Sequence, residues 1–208
     1  MHYDFSKITA YTETRQNVIA EFLRSDVAIK LLSNNDLDGI YSLVYKHGDE
    51  IFGLNSNKIA VSILTEFFYK IGIDILDYVT KIHPYCFYNT FLKRVEIPNT
   101  ITEICNFAFY STDIEEVVIP GSVKKVGKSA FEVCSKLKNV DIQEGVKELC
   151  SDCIDGIHKG AGIYLPSTLT RMGDIMSLFY ETSITFFVKE GSYAQERCES
   201  LEYNYYTV

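Results

Sequence analysis

The residues of this chain best suited to chemistry are six cysteines, at 86, 105, 134, 150, 153 and 198, and four histidines, at 2, 47, 83 and 158. Cys150-x-x-Cys153 is the only close cysteine pair. A zinc site takes four ligands, commonly as two such pairs, and there is no second pair. A redox dithiol wants a helix N-terminus to favour its thiolate. This pair sits instead inside a periodic segment, with Cys153 at a position where two other units carry Ala, so packing is the favoured reading. The histidines are scattered without paired ligand spacing. A P-loop, dinucleotide glycines and the Gly-x-Ser-x-Gly elbow are all missing. Acidic side chains number 28 against 20 basic ones, but nothing pairs them in a cleft. No catalytic residue, metal ligand or cofactor is assigned, and the chain is read as a non-enzyme.

Charge narrows the partners. The net charge of −8 is spread evenly: residues 1–80 carry 7 basic and 11 acidic side chains, and the remainder 13 and 17. A surface that tracks phosphates needs clustered Lys and Arg, so no nucleic-acid partner is expected. The first residues hold neither the basic nor the apolar stretch of a secretory signal. The most apolar run, 59–75, is broken by Ser62, Glu66, Lys70 and Asp74, too polar to supply the ~20 apolar residues that span a bilayer. The expectation is a cytoplasmic protein without membrane contact, its cysteines reduced and packed as small hydrophobes.

What must position any functional residue is a repeat. Segments opening at Ile82, Ile104, Val126, Leu149 and Met172 follow one another at 22, 22, 23 and 23 residues. A second series, Ile97, Ile119, Ile142, Leu165 and Val188, keeps the same register at 22, 23, 23 and 23. Two landmarks holding one period imply stacked coils. In each, an alternating strand such as Leu137-Lys-Asn-Val140-Asp-Ile142 points Val140 and Ile142 inward and the intervening side chains outward. Pro98, Pro120 and Pro166 then close the strand, because Pro cannot donate to a ladder. A shorter extended piece follows, and a tight segment ending in Ala-Phe plugs the coil. No coil can bury its apolar face alone, so stacking stabilises the whole. Counting back one period places a first rung at 73–79, giving about six rungs and a stack of roughly 25 Å at the ~4.8 Å strand spacing.

The segment Val126-Gly-Lys-Ser-Ala-Phe131-Glu-Val-Cys134-Ser-Lys-Leu137-Lys-Asn-Val140-Asp-Ile142 resembles the BspA-like leucine-rich repeats. The closing Phe187-Val-Lys-Glu-Gly191-Ser-Tyr193-Ala is similar to the ending of such arrays. Thr90 and Thr112 stand where Cys134 does, and the last two repeats lack Ala-Phe. The resemblance implies a short β-solenoid over 73–208, and the helical pattern of 1–72 reads as an N-terminal cap or a small helical domain, which makes the fold α+β. Within 1–72, an apolar stretch at 13–32 reads as two helices broken near Ser25-Asp26, and a shorter helix follows over 36–46. Asn55-Ser56 can cap a third helix that buries Ile59, Ile63, Leu64, Phe67, Phe68 and Ile71 and ends at Gly72.

A solenoid in register turns each repeat position into a line of side chains. One outward line is Asp74, Glu96, Val118, Asp141, Tyr164 and Phe187, with Arg94, Glu116, Asn139, Gly162 and Thr185 beside it. It runs from acidic to aromatic, and exposed aromatics anchor interfaces. A competing reading covers Phe187 with the 203–206 segment. The expected binding residues are Asp74, Glu96, Glu116, Asp141, Tyr164 and Phe187. Lys81, Glu103, Lys125, Glu148 and Arg171 alternate in sign and read as register-setting ion pairs, and Lys124, Lys128 and Lys147 as a solvated basic spot. The primary expectation is a module that binds a protein partner through its repeat face. One alternative is a small acidic inhibitor, such as a phage-encoded anti-defence protein, that binds a nucleic-acid-handling protein. A second is a surface adhesin. An exposed terminal rung could also pair with a copy of itself.

Overall fold

The computed structural model describes residues 18–19, 21–52, 57–176 and 183–208. Among the described residues, helical residues at 18–19 and 21–23 are followed by α1 (Asp26–Ser33), α2 (Leu37–Phe52) and α3 (Asn57–Lys70), and then by a 3-10 turn at Ile75–Asp77. Then come β1 (Lys81–Ile82), β2 (Glu103–Ile104), β3 (Glu116–Ile119), β4 (Lys125–Val126), β5 (Asn139–Ile142), β6 (Glu148–Leu149), β7 (Gly162–Tyr164), β8 (Arg171–Met172) and β9 (Thr185–Val188). Helix α4 (Tyr193–Ser200) and β10 (Tyr205–Thr207) close the chain. The strands form two parallel five-stranded sheets, β1-β2-β4-β6-β8 and β3-β5-β7-β9-β10. This is the expected β-solenoid, with about five turns where about six rungs were expected, and with helices at its N-terminal end.

Alternation makes the longer strands. β3 and β5 are exposed and buried by turns, with Val117, Ile119, Val140 and Ile142 inside. The expected plugs are in place: Phe87, Phe109 and Phe131 are fully buried and stack face to face, with ring centroids 5.0 and 4.9 Å apart. The backbone N–H of each plug donates to the next turn, to Ala108, Ala130 and Cys153 carbonyls, at 2.8 Å every time. Flanking turn residues Tyr85, Phe107, Ser129 and Asp152 sit at left-handed φ of 62, 59, 56 and 57°. Asn89, Ser111 and Val133 do the same at 55, 57 and 62°. Left-handed backbone costs a non-glycine residue ~1–2 kcal/mol. It is held here because the N–H groups of Phe107, Ser111 and Val133 donate to the following turn.

The Thr and Cys side chains at this position bond differently from coil to coil. Thr90 Oγ1 donates to the Phe87 carbonyl at 2.9 Å, and Cys134 Sγ to the Phe109 carbonyl at 3.2 Å, both buried. Thr112 Oγ1 lies 3.2 Å from Cys134 Sγ.

Two segments depart from the repeat expectation. Residues 73–79 do not form a strand: Asp74 caps the 3-10 turn, accepting from Leu76 N–H at 3.1 Å, while Ile75, Leu76 and Val79 still point inward. Residues 92–97 keep their alternation, with Leu92, Val95 and Ile97 buried, yet form no strand. Their backbone link to the next turn is Glu115 N–H to the Lys93 carbonyl, at 3.2 Å.

The helices are bonded to the first turn. Ser25 caps α1, accepting from Ala28 N–H, and this is the expected helix break. Asp36 accepts from Gly39 N–H at 2.7 Å at the start of α2. That helix continues past the expected Lys46 to Phe52, bending at His47 (φ −131°). Gly72 (φ 84°) ends α3 as expected, with Ile73 N–H reaching back to the Phe68 carbonyl. Ile71 lies beyond the helix and is 55% exposed, off the face it was expected to join. Asn55 and Ser56 fall outside the described residues. Ser62 Oγ donates to the Tyr85 carbonyl at 2.7 Å, so α3 is bonded directly to the first turn.

Asp38 of α2 fastens the same junction. Its carboxylate accepts from Thr80 Oγ1 at 2.6 Å, Thr80 N–H at 3.0 Å and His83 Nε2 at 2.8 Å. An ionised carboxylate only accepts, so Nε2 carries the hydrogen. Burial works to raise the Asp38 pKa, but the bonds from Thr80 and His83 outweigh it and hold the group below the usual carboxylate value. Burial pushes the His83 pKa down despite Asp38, so the ring stays neutral, stacked 5.2 Å from Tyr41. One contiguous core runs from Ile19 to Cys198.

Candidate functional site

The outer face of the β3-β5-β7-β9-β10 sheet is where the repeat assembles side chains without burying them. Pairing is in register, so Val118, Asp141, Tyr164, Phe187 and Tyr206 form one line across it. Glu116, Asn139, Gly162 and Thr185 form the next. Val118 and Tyr164 are 48% and 46% exposed, and Tyr206 61%, so the line is open to solvent. Tyr164 and Phe187 stack with centroids 4.5 Å apart, and Phe187 and Tyr206 follow at 6.3 Å. Phe187 leans over Gly162: a Cβ there would stand 3.4 Å from its Cε2, so the missing side chain gives the ring its seat. The ring is half-buried by these neighbours, which partly meets the reading that the C-terminal segment covers it.

The acidic end is built differently. Glu96, Glu116, Arg94 and Val118 line a shallow depression of about 450 Å³, floored by Val95, Val117 and Ile97, where residues 92–97 part from β3. Glu96 also borders a second depression of about 390 Å³ with Asp74 and Asp77. The structure therefore groups Asp141 with Tyr164 and Phe187 on one continuous ladder, and Glu96 with Glu116 around a dent. Asp74 stands apart, at the head of the 3-10 turn instead of on a strand, with its carboxylate engaged by Leu76 N–H.

Two features escaped the sequence reading. Tyr206 continues the aromatic line, but it lies 19 residues after Phe187 because α4 replaces the usual turn, so a 22-residue count passes it by. On the turn side, Tyr85 stacks on Phe107 at 5.2 Å and Tyr88 on Tyr110 at 5.3 Å, with Tyr45 against Tyr85 at 6.2 Å. The first two pairs do keep the 22-residue spacing, a signal that was open to the same reading.

The remaining chemistry is structural. Lys81 pairs with Glu103 at 3.2 Å, and Glu148 pairs with Lys125 at 3.7 Å and Arg171 at 3.2 Å, as the alternating ladder predicts. Lys124 Nζ donates to the Gly121 and Gly145 carbonyls and Lys128 pairs with Asp152, which engages two members of the basic spot. All six cysteines are free thiols. Burial pushes Cys86, Cys105 and Cys198 up to about 12 and Cys153 higher still, far from thiolate reactivity at neutral pH. Cys150 is raised too, by burial and then by the Glu148 carboxylate it donates to. Among the described residues no three His, Cys, Asp or Glu side chains gather as metal ligands, and no helix is long and apolar enough to cross a membrane.

A family model described as the BspA type leucine-rich repeat region matches residues 61–202 in six copies. Among solved structures, the chain is similar to the pneumococcal vaccine antigen PcpA, at 22% identity over 55% of this chain and 29% of that one, with a TM-score of 0.49. It is also similar to a leucine-rich repeat protein from Bacteroides capillosus, at 24% identity over 43% of this chain and 64% of that one, TM-score 0.35. The chain thus spans less than two-thirds of the length of either structure. No curated protein matches it.

Proposed function

We propose, on the premise that this chain belongs to the BspA-type leucine-rich repeat family, that it is a non-enzymatic protein-interaction module whose partner docks on the outer face of the β3-β5-β7-β9-β10 sheet. The family suggests a protein-binding role in general. The observation that supports this face is the solvent-open stack of Tyr164 on Phe187, centroids 4.5 Å apart, with Asp141 beside Tyr164 in register. Rigid aromatics lose little entropy on binding and enrich interface centres. Asp141 on the same ladder, and Glu96 and Glu116 around the dent toward the N-terminal end, give the face direction, because a partner with basic residues at the matching end is selected over its reverse orientation. Residues 1–72 serve in this reading as the cap that shields the first turn, through Asp38 and Ser62, rather than as a separate binding unit.

The test is capture from source-cell lysate by the native chain and by a Glu96→Lys, Asp141→Lys, Tyr164→Ala variant, each at low and moderate salt. A partner retained by the native chain at both salts and lost by the variant is the expected result. A variant that keeps the partner fully rules this face out. A nucleic-acid-handling partner released by moderate salt alone points instead to carboxylates standing in for phosphates.

A further inference from the structure

The ends of the two sheets are treated unequally. At the C-terminal end of the first sheet, β8 has its edge closed by α4: Met172 N–H donates to the Tyr193 hydroxyl at 3.2 Å, and its carbonyl accepts from Arg197 Nε at 3.0 Å. At the N-terminal end of that sheet, Asp38 takes the Thr80 N–H just before β1. The second sheet begins behind residues 92–97, which hold Glu115 N–H. β10 has no such cover among the described residues. Phe186 N–H donates to the Asn204 carbonyl and Val208 N–H to the Val188 carbonyl, both at 2.9 Å. These fix the parity of the strand: the backbone groups of Tyr205 and Thr207 face away from β9, toward the open side.

An open edge is ordinarily guarded by a charge, a proline or a bulge. Residues 203–208 read Tyr-Asn-Tyr-Tyr-Thr-Val, with no Asp, Glu, Lys, Arg or Pro, in a chain whose net charge is −8. The segment is rich in residues suited to strands, and Tyr206 and Val208 are 61% and 73% exposed.

We infer that β10 is a self-association edge, and that its occupant is β10 of a second copy of this chain, paired antiparallel about a two-fold axis. Parity selects the register. Pairing Tyr205 with Thr207 of the other copy, and Thr207 with its Tyr205, uses all the outward N–H and C=O groups of both residues. Tyr206 then faces its own counterpart on the axis as a non-hydrogen-bonded pair, the closer kind of cross-strand pair. The line Tyr164, Phe187, Tyr206 is continued by the same three residues in reverse order, joining two five-stranded sheets into one. Charge favours this occupant. Side chains without formal charge at 203–208 meet their counterparts without repulsion, and an end-to-end arrangement keeps the acidic N-terminal parts of the two outer faces farthest apart. The inference does not depend on the proposed partner face, since it rests on backbone pairing at the edge.

Sedimentation equilibrium of the full chain over the widest accessible concentration range tests it. The expected result is concentration-dependent association to twice the 23.7 kDa chain mass. Tyr206→Lys, which sets two like charges on the axis, and Thr207→Pro, which removes an outward N–H, should each weaken it at least tenfold with an unchanged circular dichroism spectrum. Tyr206→Cys should yield an oxidised dimer linked between the two residues 206, identified by peptide mass. A native chain that stays at monomer mass throughout overturns the inference. So does a dimer that survives both disrupting variants, because its contact then lies elsewhere.

Discussion

Two of the aromatic stacks share nearly the same geometry and meet opposite surroundings. Inside, Phe87, Phe109 and Phe131 repeat at 5.0 and 4.9 Å with every ring fully buried. Outside, Tyr164 and Phe187 stand at 4.5 Å, with Tyr164 nearly half exposed. Both lines follow from the repeat, which places like positions one strand spacing apart. The inner line removes whole rings from water on folding and so carries the larger hydrophobic stabilisation. The outer line, with Phe187 half-buried, leaves part of its apolar area exposed. In the proposed reading, the parity of a residue in its strand separates stability from recognition.

The largest test of that contrast is Phe109→Ala, which opens a cavity between two stacked rings. It should cost about 3–5 kcal/mol in denaturant unfolding; a loss under ~1 kcal/mol would mean the inner stack is not the fold's main support. Next, Thr112→Val removes a buried hydroxyl that serves Cys134, with an expected cost of ~1–3 kcal/mol by the same assay.

The helical seal brings a pH dependence. The His83 pKa is lowered from 6.5 in the folded state, so the unfolded chain binds the proton first. Its contribution is complete above the unfolded value and is lost as pH falls from there, by at most ~1.4 kcal/mol per pH unit. The lowered pKa of Asp38 adds its own loss only as pH drops through 3.8 and below. Thermal unfolding of the native chain should therefore weaken between pH 7 and 5, and His83→Asn should flatten that slope.

Smaller again, Val133→Gly relieves a β-branched residue at φ 62° and 43% exposure, and should raise stability by ~1 kcal/mol. Tyr164→Ala should change stability least, by within ~0.5 kcal/mol of the native chain. A large loss there would collapse the distinction between the two stacks.

The repeat was legible because it writes the same constraint many times. Phe87, Phe109 and Phe131 had to fill one position, and Lys81, Glu103, Lys125, Glu148 and Arg171 had to alternate, so spacing alone located them. Legibility failed where the constraint is written once. Residues 73–79 keep the apolar spacing of a rung, yet Asp74 bonds its own Leu76 N–H and winds the backbone into a 3-10 turn, a local competition that periodicity does not weigh. Residues 92–97 have the strand pattern, yet they part from β3 after the Glu115 N–H bond to the Lys93 carbonyl. The clasp of Asp38, Thr80 and His83 joins residues 42 and 45 positions apart across a single junction, so no repeat announces it. Tyr206 hid because α4 shortens the last interval. On the candidate face, Glu96, Glu116, Asp141, Tyr164 and Phe187 were placed outward by parity, and Asp74 was misplaced by the same argument.

The central claim is that the outer aromatic stack, and not the turn-side cluster of Tyr88 and Tyr110, is what a protein partner meets. The most direct measurement is quantitative capture from source-cell lysate by the native chain, Tyr164→Ala and Tyr110→Ala in parallel, with unfolding curves confirming that all three are folded. The account predicts that Tyr164→Ala loses at least tenfold of the bound partner while Tyr110→Ala retains it. Retention by Tyr164→Ala together with loss by Tyr110→Ala would contradict it and move the binding surface to the turns.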